Sequence, residues 1–174
     1  MRKFGLIGFP LTHSFSKKYF TEKFEKQQIL DCKYDLYSIA DAKEMIDLIE
    51  REPALCGLNV TIPHKLNVIS FLNEIDSSAK EIGAVNCIAI NQNEGAAFLK
   101  GYNTDVYGFE ESLKPLLETQ HQKALIFGNG GAAQAVKYVL KQLNIPYLVV
   151  VRNPSPGAIL YSAITKEILA DYKL

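Results

Sequence analysis

The sequence has few of the features that mark secreted, membrane-spanning or nucleic-acid-binding proteins. Its 174 residues include only three cysteines, and 19 basic residues balance 19 acidic ones. Cys32, Cys56 and Cys87 are odd in number and widely spaced. They form no CxxC pair or metal cluster, and we expect reduced thiols in a cytoplasmic protein. No charge run or basic stripe favours nucleic acid or an anionic membrane. No membrane-length apolar run and no internal repeat is present.

The segments that are present alternate between apolar strand-like runs and amphipathic helical runs, which predicts an α/β fold. The hydrophobic content of 48% is enough for one ordinary domain or two small ones. We expect the first sheet to be mainly parallel, with one antiparallel strand pair that turns at residues 91–95. A helix after the strand at residues 34–39 should be capped by Asp41 and Glu44, with its inward face formed by Met45, Leu48 and Ile49.

The amino-terminal strand, residues 3–9, leads into a turn that contains Gly8 and Pro10 and then into a helix. Ser14 and Ser16 stand where this helix should begin. Hydroxyls at that position usually accept hydrogen bonds from backbone amides of the first turn. Two hydroxyls so close together can also hold a small polyhydroxy or carboxylate ligand, and both interpretations stay open.

A lysine stands where an apolar strand gives way to a predicted helix, in the segment Asn59-Val60-Thr61-Ile62-Pro63-His64-Lys65. The positive end of a helix dipole and partial desolvation both disfavour the ammonium form. Such a lysine can therefore hold or pass a proton near neutral pH more readily than a solvated one. A lysine on a wet helix start is the simpler alternative.

Two further groups of polar residues adjoin apolar strands. Asn86 opens the strand at residues 83–90, where an amide needs partners for its hydrogen-bonding groups. Asn103, Thr104 and Asp105 follow the strand at residues 96–102 and open a helix. Helix capping explains these three residues as well as a functional role does.

Taken in order, these segments resemble the motifs of the shikimate dehydrogenase family. The family patterns G-x-P-x-x-H-S-x-S, N-V-T-x-P-x-K, G-A-V-N-T and N-T-D-x-x-G all occur, with Cys87 in place of the threonine of the third. The resemblance runs along the whole chain and implies that Lys65 and Asp105 form a catalytic pair. It also implies which residues hold the substrate's carboxylate and hydroxyls, namely Ser14, Ser16, Asn59, Thr61 and Asn86.

The activity that the resemblance implies is the reversible, NADP-dependent reduction of 3-dehydroshikimate to shikimate in aromatic amino acid and chorismate biosynthesis. Reducing a ketone with hydride requires a proton for the developing alkoxide, and a lysine beside a carboxylate can supply and relay it. Quinate or another cyclic polyol acid is an alternative substrate, because the same polar residues could accept it. A non-catalytic ligand-binding or regulatory module is a second alternative. We expect a small-molecule partner and a monomer or homodimer.

The cofactor prediction rests on a glycine-rich turn between the strand at residues 123–127 and an apolar helix. This turn fits G-x-G-x-x-[G/A] in its strand–turn–helix setting and consists of Gly128, Asn129, Gly130, Gly131, Ala132 and Ala133. The next strand, residues 147–151, should end where the adenosine ribose is contacted, and an NAD site favours an acidic residue there. Arg152 and Asn153 follow instead, which favours a 2′-phosphate and NADP. Because the family's basic cluster is reduced to this single cation, we expect only a small preference over NAD.

We therefore predict three parts: a substrate-binding and catalytic domain at 1–103, an interdomain helix and linker at 104–122, and a partial Rossmann-type NADP-binding domain at 123–174. The last part offers only strand, helix, strand and a short helix at 165–170, with 171–174 leading into a further strand. We expect a truncated or naturally shortened family member with poor turnover. His13, His64 and His121 have no metal-ligand spacing, so we assign them structural or solvent-facing positions and predict no metal site.

Overall fold

The computed structural model describes residues 1–92 and 96–174, and the chain divides into two compact units, Met1–Asn103 and Thr104–Leu174. Each unit has its own sheet, one of six strands and one of three. The α/β fold with a mainly parallel first sheet, predicted from the sequence, is confirmed. Among the described residues, no helix is long and apolar enough to cross a membrane.

The first unit alternates strands and helices from its amino terminus. Its elements are β1 (Arg2–Gly8), α1 (Ser16–Lys26), β2 (Cys32–Ser38), α2 (Glu44–Arg51), β3 (Leu55–Val60), β4 (Glu74–Ile75), α3 (Ser77–Ile82), β5 (Cys87–Gln92) and β6 (Ala97–Tyr102). A short 3-10 helix, Asn67–Phe71, lies between β3 and β4.

The strand order of the first sheet is β2-β1-β3-β5-β6-β4. All neighbours are parallel except at β5, which runs antiparallel to both β3 and β6. The prediction of one antiparallel pair is therefore wrong: there are two, because the reversed strand lies inside the sheet. Of the turn predicted at residues 91–95, residues 93–95 lie outside the described residues.

Apolar spacing explains why α1 and α2 pack where they do. In α1, Phe20 and Phe24 are one turn apart and pack against Phe4 and Tyr34. In α2, the predicted inward residues are all buried, namely Met45, Leu48 and Ile49. The predicted capping by Asp41 is wrong in position, because α2 begins at Glu44 with Lys43 as its N-cap and no side-chain cap bond, but Asp41 and Glu44 do form reciprocal bonds in the preceding turn. The Asp41 amide donates to Glu44 Oε1 over 2.8 Å, and Asp41 Oδ1 accepts from the Lys43 amide over 3.0 Å.

The second unit is built around a parallel sheet of order β7-β8-β9. Its elements are α4 (Asp105–Leu113), β7 (Ala124–Phe127), α5 (Gly131–Gln142), β8 (Tyr147–Val151), β9 (Ala158–Leu160) and α6 (Lys166–Asp171). β9 is not predicted from the sequence, because three residues after a segment rich in proline and glycine are too few to show a hydrophobic alternation.

Residues beyond α6 return to the outer edge of β7. The Leu174 amide donates to Lys123 O over 3.2 Å, and Leu174 O accepts from the Leu125 amide over 2.9 Å. This alternation is the hydrogen-bond pattern of a parallel pair. These bonds agree with a lead into a further strand, but residues 172–174 have no assigned strand, and that strand stays a prediction. The resulting order, with β7 between β8 and the segment at Leu174, is typical of dinucleotide-binding sheets.

Candidate functional site

The end of β1 lies tightly against the segment that follows β3. The Thr61 amide donates to Ile7 O over 2.9 Å, and the Phe9 amide donates to Ile62 O over 3.0 Å. A Cβ placed on Gly8 would lie 2.4 Å from Thr61 Cγ2 and 2.9 Å from Ile62 O. Only glycine fits there, and the glycine of the first motif thus permits the close approach of the second.

Lys65 lies half-buried in a turn that precedes the 3-10 helix Asn67–Phe71, not at the start of an α-helix. The part of the prediction that used a helix dipole therefore does not hold, because a single 3-10 segment aligns few peptide dipoles. The Lys65 carbonyl accepts a hydrogen bond from the Val85 amide over 2.8 Å. This bond fixes the main chain at Lys65 relative to the segment that leads into β5.

The turn that carries Lys65 is anchored by its neighbour His64, whose side chain is only 1% exposed. His64 Nε2 lies 2.8 Å from Ile39 O, and a carbonyl can only accept, so Nε2 carries the proton. Backbone bonds join His64 to Thr61 O over 2.9 Å and to the Val68 amide over 3.0 Å. The predicted structural role of His64 is confirmed. The described residues contain no cluster of three or more potential metal ligands.

The polar residues singled out in the first unit gather at one edge of its sheet. Ser14 and Ser16 follow the carboxyl end of β1, and Asn59 and Thr61 lie at the carboxyl end of β3. Asn86 directly precedes β5. Because β5 is antiparallel to β3, its amino end meets the carboxyl ends of the other strands.

Asn86 is the one of these residues most deeply enclosed, with 9% exposure. Its carbonyl accepts from the Val60 amide over 2.8 Å, and its amide donates to Tyr102 O over 3.0 Å. Nearby, Asn103 Nδ2 donates to Ala84 O over 2.9 Å. The main chain at Asn86 is thereby fixed between β3 and β6, which gives its buried amide side chain a defined position.

A tyrosine that the sequence analysis did not single out joins two of the predicted binding residues. Tyr34, 3% exposed on β2, donates its hydroxyl hydrogen to Asn59 Oδ1 over 2.7 Å. Burial raises the pKa of Tyr34, and a hydrogen bond from the Ser16 side chain offsets this only in part. Ser14 Oγ in turn accepts from the Ser16 amide over 3.3 Å, but the N-cap of α1 is Phe15, which makes no side-chain cap bond.

The second unit begins with the helix α4, of which Asp105 is the first residue. Asp105 is half-buried, and a carboxylate in a first helical turn is stabilised by the helix dipole. The helix dipole is therefore a sufficient structural reason for an aspartate at this position, although the N-cap residue Thr104 makes no side-chain cap bond. Lys65 and Asp105 belong to different units, and their pairing stays a prediction.

The glycine-rich segment forms the turn between β7 and α5. Gly128 has a φ of +110°, which other residues rarely adopt, and its amide donates to Val150 O over 2.8 Å. No atom lies within 4 Å of a Cβ built on Gly128 or Gly130, so the outer side of the turn is open. The helix starts at Gly131 without a side-chain cap, followed by the small residues Ala132 and Ala133. Open first-turn amides of this kind suit a pyrophosphate.

Asn129 connects this turn to the loop after β8. Asn129 Nδ2 donates to Ser155 Oγ over 3.4 Å, and Lys137 donates to Asn129 Oδ1. Arg152 and Asn153 lie exposed at the start of the same loop. Partial burial lowers the pKa of Lys137. The sequence analysis missed Lys137, since a single lysine on a helix is an ordinary surface residue.

An open cavity of about 480 Å³ lies beside α1, but its walls do not suit a polyhydroxy acid. It is lined mainly by apolar side chains, among them Phe4, Phe20, Phe24 and Leu58. Asn59 and Tyr34 also line it. A ligand with several hydroxyls needs matching polar groups, which are found at the sheet edge instead.

Comparisons with known proteins agree with this arrangement. Residues 6–88 match a family model described as the shikimate dehydrogenase substrate binding domain. A shikimate dehydrogenase (NADP(+)) from Caldanaerobacter subterraneus subsp. tengcongensis is 36% identical over 176 residues, which cover 98% of this chain and 59% of that protein. The chain is similar to shikimate dehydrogenases along nearly its whole length. The family prediction made from the four motifs is confirmed.

Other family members show the same similarity. A shikimate dehydrogenase (NADP(+)) from Nitrosopumilus maritimus is 41% identical over 138 residues, covering 78% of this chain and 48% of that protein. The crystal structure of shikimate dehydrogenase 1 from Peptoclostridium difficile has a TM-score of 0.80 at 34% identity, covering 92% of this chain and 60% of that one. The Thermus thermophilus enzyme in complex with NADP(H) and shikimate has a TM-score of 0.73 at 29% identity, covering 92% of this chain and 62% of that one. The chain thus spans between 48% and 62% of the length of these relatives.

Proposed function

We propose that this chain provides the substrate site and part of the cofactor site of an NADP-dependent oxidoreductase that interconverts 3-dehydroshikimate and shikimate. The observation that carries the proposal is the gathering of hydroxyl and amide side chains at one edge of the first sheet. The family relatives named above, one of them in complex with NADP(H) and shikimate, support the same assignment.

The substrate presents a carboxylate and several hydroxyls on a small ring, so its site must offer both hydrogen-bond donors and acceptors. Serine and threonine hydroxyls and asparagine amides provide both. We assign this task to Ser14, Ser16, Asn59, Thr61 and Asn86. The tight packing of Gly8 against Thr61 and the two backbone bonds of Asn86 hold these side chains on rigid elements, which favours a preorganised site.

We assign the proton transfer to Lys65, with Asp105 as its carboxylate partner. Reduction of a ketone places a hydride on the carbonyl carbon and a proton on the oxygen. The Lys65 ammonium donates that proton and stabilises the negative charge on the oxygen, and we assign Asp105 as the carboxylate that orients the lysine. In the reverse direction, Lys65 accepts the proton from the hydroxyl. NADPH, when bound, would supply the hydride and become NADP⁺.

The second unit has the residues that such a cofactor requires. The open turn at Gly128 to Ala133 and the free first-turn amides of α5 would hold the pyrophosphate through the backbone. Arg152 and Asn153 would contact the 2′-phosphate that distinguishes NADP from NAD. Lys137 adds a second cation close to the turn through its contact with Asn129.

The proposal is tested by following NADPH absorbance with the 174-residue chain. The mixtures contain NADPH with 3-dehydroshikimate, or NADP⁺ with shikimate, with quinate or without substrate. Because the chain provides only part of the cofactor site, we expect slow turnover that depends on shikimate or 3-dehydroshikimate. A Lys65→Met variant should be slower still, by about 10²–10⁴-fold. Lys80→Met, a change of an exposed lysine on α3, serves as the matched control.

The same experiment separates the alternatives. Faster turnover of quinate than of shikimate identifies the protein as a dehydrogenase of another cyclic polyol acid. Calorimetric binding of shikimate without any turnover supports a ligand-binding module. Absence of both binding and turnover refutes the proposed function.

A further inference from the structure

We propose that Tyr34 fixes the orientation of the Asn59 side-chain amide and thereby makes Asn59 a hydrogen-bond donor to the substrate. Tyr34 is in this sense a positioning residue, because it acts through Asn59. The proposal rests on the proposed function in one respect, namely that Asn59 contacts the ligand.

The orientation follows from one short hydrogen bond. The Tyr34 hydroxyl lies 2.7 Å from Asn59 Oδ1, the usual distance for an O–H···O bond. An amide oxygen can only accept, so the hydroxyl is the donor. Because oxygen and nitrogen occupy opposite branches of the planar amide, Asn59 Nδ2 points away from Tyr34. A ligand on that side meets an N–H donor, which suits carboxylate, carbonyl or hydroxyl oxygens.

The position of Tyr34 in the sheet explains why a tyrosine is needed. Tyr34 is on β2 and Asn59 is on β3, with β1 between them. Strands two positions apart are separated by about 10 Å, so only a long side chain lying across β1 can span them. The Tyr34 ring has this orientation because it stacks on Phe20 of α1, with centroids 4.4 Å apart and an interplanar angle of 14°.

The burial of Tyr34 keeps this hydroxyl available as a donor. The side chain is 3% exposed, which locks its rotamer and protects the hydrogen bond from water. Burial also raises the pKa of Tyr34, so the hydroxyl keeps its proton at any pH at which an enzyme of this kind works. Without the hydroxyl, the Asn59 amide loses its partner and can rotate by half a turn. In a fraction of the protein molecules, the Asn59 amide oxygen then faces the ligand in place of the N–H group.

The first test compares Tyr34→Phe with Tyr37→Phe, which removes the same atom from a half-buried tyrosine on the same strand. Shikimate affinity is measured by calorimetry, and the free energy of unfolding is measured in urea. We expect Tyr34→Phe to bind shikimate about tenfold more weakly, as for the loss of one hydrogen bond, and Tyr37→Phe to bind it like the wild type. Equal affinity of wild type and Tyr34→Phe would overturn the proposal.

A double-mutant cycle separates positioning from general loss of structure. If Tyr34 acts through Asn59, most of the loss caused by Tyr34→Phe disappears in an Asn59→Ala background, leaving only what its contact with Ser16 contributes. Independent, additive losses in the two variants would mean that Tyr34 supports the site in another way, and would contradict the proposal.

A spectroscopic measurement keeps the outcome independent of the proposed function. The side-chain NH₂ signals of Asn59 are identified as those lost in Asn59→Asp. We expect them to shift strongly in Tyr34→Phe and to stay in place in Tyr37→Phe. If the wild type binds no shikimate while these signals shift, the proposed function fails and the orientation by Tyr34 stands. Unchanged signals in Tyr34→Phe reject the orientation itself.

Discussion

Replacing His64 by leucine tests how the turn that carries Lys65 is held. The change puts an apolar side chain of similar size in place of the buried imidazole and removes the donor to Ile39 O, at present 2.8 Å from Nε2. A buried carbonyl left without a partner costs about 1–3 kcal/mol. His64 is only 1% exposed, so water cannot readily replace the lost donor. We therefore expect the first unit to lose about 1–3 kcal/mol of unfolding free energy.

The loss should be largest in the turn itself. Hydrogen exchange of the Val68 amide, which donates to His64 O, reports on opening of this segment. We expect faster exchange at Val68 in His64→Leu and an unfolding midpoint at lower urea. His64→Gln, which keeps an amide donor, should restore part of both. The matched control is His13→Leu, because His13 is exposed.

The outcome also bears on the chemistry proposed for Lys65. A misplacement by one ångström can cost about a hundredfold in rate, so a loosened turn should lower turnover with little change in cofactor binding. If His64→Leu is as stable as the wild type and Val68 exchanges at the same rate, the Nε2 hydrogen bond does not anchor the turn and the reasoning is wrong.

Three further predictions concern other parts of the chain. Arg152→Ala should weaken NADPH binding about 10- to 100-fold and NADH binding little, since only NADPH carries the 2′-phosphate; equal losses in a fluorescence titration would mark a structural arginine. Gly8→Ala should cost about 1–3 kcal/mol in urea unfolding, because the added methyl would lie 2.4 Å from a side-chain carbon, whereas Gly108→Ala, in open space on α4, should not destabilise. Burial alone would raise the pKa of Asp35. Lys17 Nζ, 2.8 Å from Oδ1, and Lys33 Nζ, 2.7 Å from Oδ2, outweigh this effect and lower the pKa. The stability that Asp35 contributes is therefore present at neutral pH and lost as pH falls below about 4, so acid titration should bring wild type and Asp35→Asn together; a constant difference down to about pH 2 would contradict this.

The local elements of the fold were predictable because their signals are local. The face of α2 formed by Met45, Leu48 and Ile49 follows from helical spacing, and the glycine turn before α5 follows from its motif. The partners of β5 were not predictable in the same way. Whether a strand is inserted between two others depends on pairing between distant segments, which the composition of residues 87–92 does not encode.

The same division applies to the candidate site. Ser14, Asn59 and Asn86 could be singled out because they interrupt or adjoin apolar strands. The sequence predicts a helix start at Lys65, but the structure has a turn there. That turn is held by bonds from neighbouring segments, such as the one from the Val85 amide to the Lys65 carbonyl. Tyr34 could not be distinguished from Tyr37 by sequence, because its role depends on a strand two positions away in the sheet.

The reversed direction of β5 has a consequence for how this protein can vary. The pair β5 and β6 begins and ends at the site edge, with Asn86 just before β5 and Asn103 just after β6. The far end of the pair, where β5 ends at Gln92 and β6 begins at Ala97, is about 17–20 Å along the strands from that edge. Insertions, tags or a fused domain placed between Gln92 and Ala97 should therefore leave the polar residues of the site undisturbed.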